Sequence, residues 1–226
     1  MGMLYLVRHG QASFGEDDYD RLSPLGHKQS QRLGVYLRQR LEREGQQIDT
    51  VLTGSLRRHK ETWEGIAQGA QWHHKALVWP GLNEYDSQAL IAAIHPKPLP
   101  KPETPALYRQ HFRLLRNALQ AWMTGKTQPA GMPEYNEFVV GIETALDHVR
   151  QHCAGNALIV SSGGPISTAV GRLLCASHQA TIDLNMHIRN TALTELTFNP
   201  KRHQLLSYNT IPHLDSAEHQ DWVTFA

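Results

Sequence analysis

The sequence predicts an α/β fold, a three-layer α/β/α sandwich around a mostly parallel sheet with a helical insertion and a C-terminal hairpin. Two strand-to-helix units carry this prediction. The continuous apolar run at 4–7 is typical of a strand buried on both faces of a parallel sheet. Ser23-Pro24 then combines a capping hydroxyl with a proline suited to the first helical turn. The apolar run at 157–160 leads in the same way through residues 161–165 into a late helix.

Apolar periodicity also predicts the remaining elements. They are strands at 50–52 and 76–79, helices at about 106–122 and 135–152, and a hairpin of strands at 191–198 and 203–208. A helical stretch also follows Gly54-Ser55, in which Trp63, Ile66 and Ala70 can face inward. The proline-rich stretch at 95–105 cannot form a helix interior or a central strand, so we expect it to follow the surface. We therefore expect a single domain over residues 1–226, with a helical insertion at about 87–135.

Composition excludes several classes of function. The chain has 22 Lys+Arg and 21 Asp+Glu, a net charge of +1, so no global field recruits nucleic acid or an anionic membrane. Cys153 and Cys175 are too few for a disulfide framework and lack the spacing of a zinc site. The first apolar run, at 3–7, is too short for a signal peptide or a membrane span. We expect a soluble cytoplasmic protein.

Three predicted strand-to-helix turns contain residues suited to chemistry. They are Arg8-His9-Gly10, Arg57-Arg58 and the segment from Ser161 to Gly164. In open parallel sheets, ligands bind beyond the carboxyl ends of the strands, where all three turns would meet. Helix N-termini and glycines let backbone N–H groups approach a phosphate, so Gly163 and its neighbours are candidate phosphate contacts.

Individual side chains in these turns suit phosphoryl transfer. The planar guanidinium groups of Arg8 and Arg58 match phosphate oxygens bidentately. His9 directly follows a strand and could attack phosphorus with one ring nitrogen while a hydrogen bond holds the other. Glu84 follows a predicted strand end and could protonate a leaving oxygen and later activate water. Ser13 is a further candidate phosphate contact.

Each of these residues also has a structural interpretation. A lone histidine after a strand is more often a hydrogen-bonding residue than a nucleophile. Glu84 could be an ordinary loop carboxylate, and the acidic run that includes Glu16, Asp17 and Asp18 supplies rival acids, although such runs are usually solvated turns.

The sequence does not predict a metal site. His148 and His152 lie four residues apart on a predicted helix, but no carboxylate accompanies them in the HExxH pattern. His73 and His74 are adjacent and point in different directions, and no second cluster accompanies them. We predict no metal and no cofactor.

Four motifs occur in order: LVRHGQAS, GSLRRHKETW, LNEYD and VSSGGPIS. They resemble the histidine phosphatase superfamily, also called the phosphoglycerate mutase-like family, and the resemblance extends over nearly the whole chain. It implies a phosphatase in which His9 is phosphorylated, Arg8 and Arg58 hold the phosphate and Glu84 is the acid and base. Arg58 is preferred over Arg57 because the family spacing from arginine to threonine falls on Arg58 and Thr62.

One position departs from the family pattern. The family normally has a second histidine after the late strand, at the place where this chain has Ser162. A serine donates one neutral hydrogen bond and cannot carry the charge of an imidazolium. Because the loss of a single preorganised donor can cost roughly 10²–10³ in turnover, we expect weakened activity, with Ser162 and Gly163 still contacting the phosphate.

Two other functions fit the same residues. A phosphoglycerate mutase would return the phosphoryl group to a hydroxyl, but such mutases usually have a Trp-Asn pair after the Arg-His-Gly motif, whereas this chain has Gln11-Ala12-Ser13-Phe14. A non-catalytic module would bind phosphorylated ligands and show ligand-dependent stabilisation without turnover. For the enzyme, we expect a phosphorylated small molecule or a phosphoprotein as substrate and neither nucleic acid nor membrane as partner.

Overall fold

The computed structural model describes residues 2–13, 20–97, 99 and 104–225. Its strands are β1 (Gly2–Arg8), β2 (Ile48–Thr53), β3 (Leu77–Val78), β4 (Asn156–Ser161), β5 (Leu193–Asn199) and β6 (Arg202–Thr210). Its α-helices are α1 (Pro24–Arg43), α2 (Arg57–Ala70), α3 (Ser87–Ile94), α4 (Pro105–Met123), α5 (Tyr135–His152), α6 (Gly163–Leu173) and α7 (His178–His187). Short 3₁₀ turns lie at Pro80–Leu82, Pro212–Leu214 and Ala217–Trp222.

The strands form a mostly parallel sheet in the order β3-β2-β4-β1-β5-β6. The first four in this order are parallel, with Leu6 opposite Ile159 between β1 and β4, whereas β5 pairs antiparallel with both β1 and β6. This arrangement confirms the predicted α/β class and the C-terminal hairpin. It also brings the carboxyl ends of β1, β2 and β4 to one edge, because parallel neighbours end on the same side.

Helices cover both faces of the sheet. Leu4 and Leu6 of β1 pack into a core with α4, α5 and α6, whereas Tyr5 and Val7 pack into a second core with α1 and α2. All four side chains are 0–2% exposed. Successive strand residues point to opposite faces, so a continuous apolar run is what a strand between two helical layers requires.

The start of α1 follows from its sequence. Ser23 is the N-cap, its hydroxyl oxygen accepts the Gly26 N–H at 3.0 Å, and Pro24 occupies the first helical position. One stripe of α1 is then buried against the sheet, and it includes Leu33, Leu37 and Leu41. The capping signal and the apolar period therefore predict the same helix, as they should in a foldable sequence.

The core on the other face of the sheet, under α4, α5 and α6, contains Trp122 of α4, which is 1% exposed. Its indole N–H donates to the Pro133 carbonyl at 3.1 Å, so burial leaves this polar group paired. The rings of Tyr135 and Phe138 lie 5.2 Å from the Trp122 ring, and that of Tyr85 lies 6.1 Å away. This aromatic cluster attaches α4 and α5 to the loop that carries the site residue Glu84.

Some elements differ from the sequence prediction. Helix α7 is not predicted, because only Thr181 and Ile182 of it are buried and no periodic apolar stripe marks it. The third strand is only two residues long, and both are exposed. Within the proline-rich stretch, residues 98 and 100–103 lie outside the described residues. None of the described helices combines the length and apolar character needed to cross a bilayer.

The contact between α1 and α2 generates a test of stability. A Cβ added at Gly34 would lie 2.1 Å from the Ile66 carbonyl oxygen and 2.9 Å from the Ala70 nitrogen. An alanine in a helix interior ordinarily gains about 0.5–1 kcal/mol over glycine. At Gly34 we expect the opposite sign, because overpacking costs about 1–3 kcal/mol. Urea unfolding of Gly34→Ala measures this, and an unchanged or higher free energy of unfolding would contradict the close packing.

Candidate active site

The carboxyl ends of β1, β2 and β4 open into a cavity of about 240 Å³. Five of the residues singled out from the sequence line it: Arg8, His9, Arg58, Glu84 and Gly163. The rest of the wall that the structure describes comes from Tyr85, Ser87, Tyr108, His111, Phe112, Leu115, Asn185, Met186 and Phe225. The sheet edge thus brings together five predicted residues that lie up to 155 positions apart in the chain.

His9 lies at the end of β1 and is 4% exposed. Its backbone N–H donates to the Ser161 carbonyl of β4 at 2.9 Å, so sheet geometry continues into the site. Its Nδ1 lies 2.7 Å from the Gly10 carbonyl oxygen. A carbonyl can only accept, so Nδ1 carries the ring proton and Nε2 keeps its lone pair. Burial, followed by the positive charges of Arg58 and Arg8, lowers the pKa of His9 well below its usual value of 6.5.

Gly10 explains how the loop after β1 reaches α1 and α2. A Cβ at this position would lie 2.6 Å from the Gly26 carbonyl oxygen, so only glycine lets the loop approach α1 this closely. The Gly10 N–H donates to the Thr62 hydroxyl at 3.0 Å, and that hydroxyl donates to the Arg58 carbonyl at 2.7 Å. Thr62 therefore connects the histidine loop to the first turn of α2.

The two arginines approach the cavity from different elements. Arg8 is the last residue of β1, and its Nη1 donates to the carbonyls of Ile188 and Phe225. Arg58, on the first turn of α2, is 7% exposed and its Nη1 donates to Asp20 at 2.7 Å. Two guanidinium groups at one cavity wall favour an anionic ligand, because each presents several N–H donors and a fixed positive charge.

The neighbouring Arg57 points away from this wall. Its side chain is 54% exposed and pairs with Glu61, one helical turn later, at 2.6 Å. Helical geometry turns successive side chains by about 100°, so only one of two adjacent arginines can face the cavity. The pair provides a natural comparison between a cavity arginine and a surface arginine.

Glu84 is held by backbone N–H groups. Its carboxylate oxygens accept from Gly164 at 3.1 Å and from Tyr85 at 3.2 Å. A Cβ at Gly164 would lie 2.2 Å from Glu84 Oε1, so a glycine at the start of α6 makes room for this carboxylate. Burial raises the pKa of Glu84 above 4.5, and this effect outweighs the opposing Gly164 hydrogen bond and the two arginines. The carboxyl group can therefore hold a proton at a higher pH than an exposed glutamate.

Two predicted phosphate contacts, the hydroxyl groups of Ser13 and Ser162, form hydrogen bonds within the protein. Ser13 is 6% exposed and its hydroxyl donates to the Leu22 carbonyl at 3.2 Å. Ser162 is fully buried, and its Oγ lies 2.7 Å from Nε2 of His59. Neither residue belongs to the described cavity lining, so their contact with a phosphate stays a prediction. The rival acids Glu16, Asp17 and Asp18 lie outside the described residues.

Sequence reasoning missed His59. This residue follows Arg58 on α2, is 0% exposed, and its ring centroid lies 5.8 Å from that of His9. Burial, followed by the charge of Arg58, lowers the pKa of His59 well below 6.5. The available signal was its spacing: His59 lies three residues before Thr62, so both fall on the face of α2 that turns inward.

The mouth of the cavity comes largely from the helical insertion. Tyr108 and Phe112 of α4 are 41% and 40% exposed, and Phe225 from the end of the chain is 53% exposed. Periodicity places the apolar residues of α4 on one face, but it cannot show which of them leave the core to line a cavity. Aromatic rings at a half-exposed edge can pack against the organic part of a ligand.

The described His, Cys, Asp and Glu side chains can be compared with the arrangement that a metal ion requires. Within residues 2–13, 20–97, 99 and 104–225, no group of three or more His, Cys, Asp or Glu side chains is arranged to hold a metal ion. The rings of His148 and His152 lie 4.9 Å apart on α5, and the His148 ring also contacts Trp79. The absence of a metal therefore stays a prediction for the whole chain.

Solved structures with the same fold include several phosphatases. The phosphoserine phosphatase of Entamoeba histolytica, in complex with 3-phosphoglyceric acid, is 20% identical, with a TM-score of 0.61 over 95% of this chain and 100% of that chain. The mycobacterial glucosyl-3-phosphoglycerate phosphatase with inorganic phosphate is 19% identical, with a TM-score of 0.65 over 95% and 100%. The α-ribazole phosphatase of Shigella flexneri is 18% identical, with a TM-score of 0.62 over 92% and 96%.

Sequence comparison identifies the family directly. No curated protein has a significantly similar sequence. The sequence profile of the histidine phosphatase superfamily (branch 1), however, matches residues 4–211, a range that begins in β1 and extends just past β6. Because this match includes every described strand and helix that builds the site, the chain belongs to branch 1 of the histidine phosphatase superfamily.

Proposed function

We propose that this protein is a phosphatase that hydrolyses phosphomonoesters through a phosphohistidine intermediate on His9. One observation carries the proposal: a buried imidazole whose Nδ1 is held by the Gly10 carbonyl lies beside two guanidinium groups in one cavity. The free Nε2 lone pair can attack phosphorus, and the low pKa of His9 keeps that lone pair available.

The reaction proceeds in two steps. The phosphate binds between Arg8 and Arg58, whose charges offset those of its oxygens. Nε2 of His9 forms a bond to phosphorus while the ester P–O bond breaks, and Glu84 gives its proton to the leaving alkoxide. Water then attacks phosphorus, Glu84 takes the water proton, and the P–N bond breaks to return the lone pair to Nε2. The net reaction consumes one water and releases an alcohol and inorganic phosphate.

The cavity also bears on the substrate. Its volume of about 240 Å³ suits a phosphoryl group with a small organic group attached, and Tyr108 and Phe112 provide aromatic surface at the mouth. We therefore propose a phosphorylated small molecule as the substrate, with a phosphoprotein side chain as the alternative. Two described phosphatases of this fold carry names of phosphorylated small molecules, phosphoserine and glucosyl-3-phosphoglycerate, and support this choice.

The cellular setting is part of the same proposal. Cys153 and Cys175 are both free thiols, and Cys175 is exposed. Thiols of this kind persist in a reducing compartment. We propose that the protein acts in the cytoplasm and that neither nucleic acid nor membrane is its partner.

Hydrolysis of p-nitrophenyl phosphate tests the proposal directly. We expect wild-type turnover that survives a chelator, is lost in His9→Ala, and is accompanied by an acid-labile phosphorylated protein in rapid-quench experiments. Retained turnover in His9→Ala would contradict the nucleophile. Stabilisation by inorganic phosphate with no turnover of any phosphoester would indicate a binding module, and phosphoryl transfer between hydroxyls in place of release would indicate a mutase.

The two adjacent arginines allow a matched comparison. We expect Arg58→Ala to lower kcat/KM by about 10²–10³ because a preorganised cationic donor is removed from the cavity. Arg57→Ala removes the same side chain from the surface, where an ion pair contributes about 0.2–1 kcal/mol, so kcat/KM should stay within about fivefold of wild type. Steady-state kinetics and thermal unfolding of both variants check this. Equal losses would assign the effect to the N-terminus of α2 rather than to the cavity.

Glu84 is tested by the leaving group and by pH. A nitrophenolate leaves without a proton whereas an alkoxide requires one, so Glu84→Gln should lower the phosphorylation rate of an alkyl phosphate by about 10²–10⁴ and affect p-nitrophenyl phosphate much less. The p-nitrophenyl ester should then show a burst, because hydrolysis of the intermediate also needs Glu84.

The pH profile has a defined sign. Because the pKa of His9 is lowered, the acidic limb of kcat/KM should lie well below pH 6.5. Because the pKa of Glu84 is raised, its acid form persists above pH 4.5 and its loss should produce the alkaline limb for alkyl phosphates. An alkaline limb that is unchanged in Glu84→Gln would exclude this residue as the acid.

A further inference from the structure

The environment of His59 is built around an unusual contact. An imidazole that is 0% exposed lies between the fully buried Ser162, with 2.7 Å between Nε2 and Oγ, and His9, with 5.8 Å between ring centroids. A Cβ at Gly54 would lie 2.1 Å from Nδ1 of His59, and the backbone of Gly54 is not in the left-handed region. What glycine provides at the end of β2 is therefore room for this ring.

We propose that His59 is a positioning residue that directs the hydroxyl proton of Ser162 toward the phosphoryl group bound at His9. The inference rests on the proposed phosphatase function and assigns a role to His59, which the two-step reaction described above does not use. It concerns two side chains that are 103 positions apart in the sequence and meet only in the fold.

The tautomer of His59 follows from its partners. Nδ1 has no hydrogen-bond partner among the described residues, whereas Nε2 faces the Ser162 hydroxyl. A neutral imidazole has a single N–H, and a buried N–H left without an acceptor costs more than a lone pair left without a donor. The proton therefore resides on Nε2 and donates to Ser162 Oγ. The burial that lowers the pKa of His59 supports the neutral form.

This assignment determines what Ser162 can do. Its Oγ accepts from His59, so its own O–H proton must be donated elsewhere. Ser162 is the N-cap of α6, yet its hydroxyl makes no capping bond to that helix. It lies between Ser161, whose carbonyl accepts the His9 N–H, and Gly163, which lines the cavity. Ser162 itself is outside the described cavity lining, so the acceptor that we assign to its proton is an oxygen of a phosphoryl group held at His9, beside the cavity residue Gly163.

The hydrogen bond from His59 changes how well Ser162 is expected to act as a donor to a phosphoryl oxygen. As an isolated serine it is a freely rotating donor, which loses rotational freedom when it binds a phosphoryl oxygen. With His59 occupying one lone pair, the direction of the O–H bond is set before the substrate arrives, which is the condition under which a donor stabilises a transition state most. Preorganisation of this kind supports turnover in a chain that has a serine after β4.

Matched substitutions separate this role from simple packing. Glutamine and methionine have similar size and flexibility, but only glutamine has an N–H that can donate to Ser162. We expect His59→Gln to stay within about tenfold of wild-type kcat/KM and His59→Met to fall by about 10², close to the loss in Ser162→Ala. In the Ser162→Ala background the two residue 59 variants should be equal, since the hydroxyl they act through is gone.

Three controls keep the outcomes distinct. Ser162→Thr retains the hydroxyl and should keep most of the activity, and thermal unfolding should show all variants folded at the assay temperature. Equal activity of His59→Gln and His59→Met, or losses that multiply in His59→Met/Ser162→Ala, would overturn the proposal. If His59→Met does not fold, the coupling is tested by the ratio of kcat/KM between Ser162→Thr and Ser162→Ala. This ratio is measured once with His59 and once with His59→Gln.

The same variants distinguish failure of this inference from failure of the proposed function. Affinity for inorganic phosphate, measured by titration calorimetry, requires no turnover. If wild type binds phosphate without hydrolysing esters, the proposed function fails, and the order wild type, His59→Gln, His59→Met in phosphate affinity still supports the oriented donor. If affinity is independent of residue 59, the oriented donor is excluded whether or not the protein is a catalyst.

Discussion

A neutral imidazole held beside two guanidinium groups is the constraint on which the rest of this site depends. His9 must be buried to stay uncharged, must lose no hydrogen bond in the process, and must leave one ring nitrogen exposed to the cavity. The sheet buries His9 by placing β1 between β4 and β5, and the Gly10 carbonyl provides the hydrogen bond of the ring. Gly10 in turn depends on Thr62 and on close approach to α1, so both α1 and α2 contribute to the state of one ring.

Much of the fold could be predicted because its signals are local. Ser23 and Pro24 mark the start of α1 by their own chemistry, and the apolar run of β1 reflects burial on both faces. The convergence of Arg8, His9 and Arg58 follows from a general rule of the predicted sheet, since neighbouring parallel strands end at the same edge. Helix α7 lacks such a signal, because its contacts and not its periodicity hold it in place.

The parts of the site that escaped prediction depend on distant partners. His59 has a solvent-excluded environment created by Gly54, His9 and Ser162, and nothing within α2 states that these will meet. Sequence patterns therefore identify which residue types are available, whereas hydrogen-bond partners are set by the tertiary structure. Glycine shows the same limit. Gly164 is predicted as a phosphate contact, but the structure also uses its missing side chain to accommodate Glu84.

The floor and the mouth of the cavity come from different parts of the fold. Its floor consists of loops that follow β1, β2 and β4 and are fixed by the hydrogen bonds of the sheet, whereas its mouth consists of side chains from α4 and from the end of the chain. Tyr108 and Phe112 are half-exposed and belong to neither apolar core. Substitutions at the mouth can accumulate at small cost in folding free energy, so the range of accepted ligands can diverge between relatives while the floor stays unchanged.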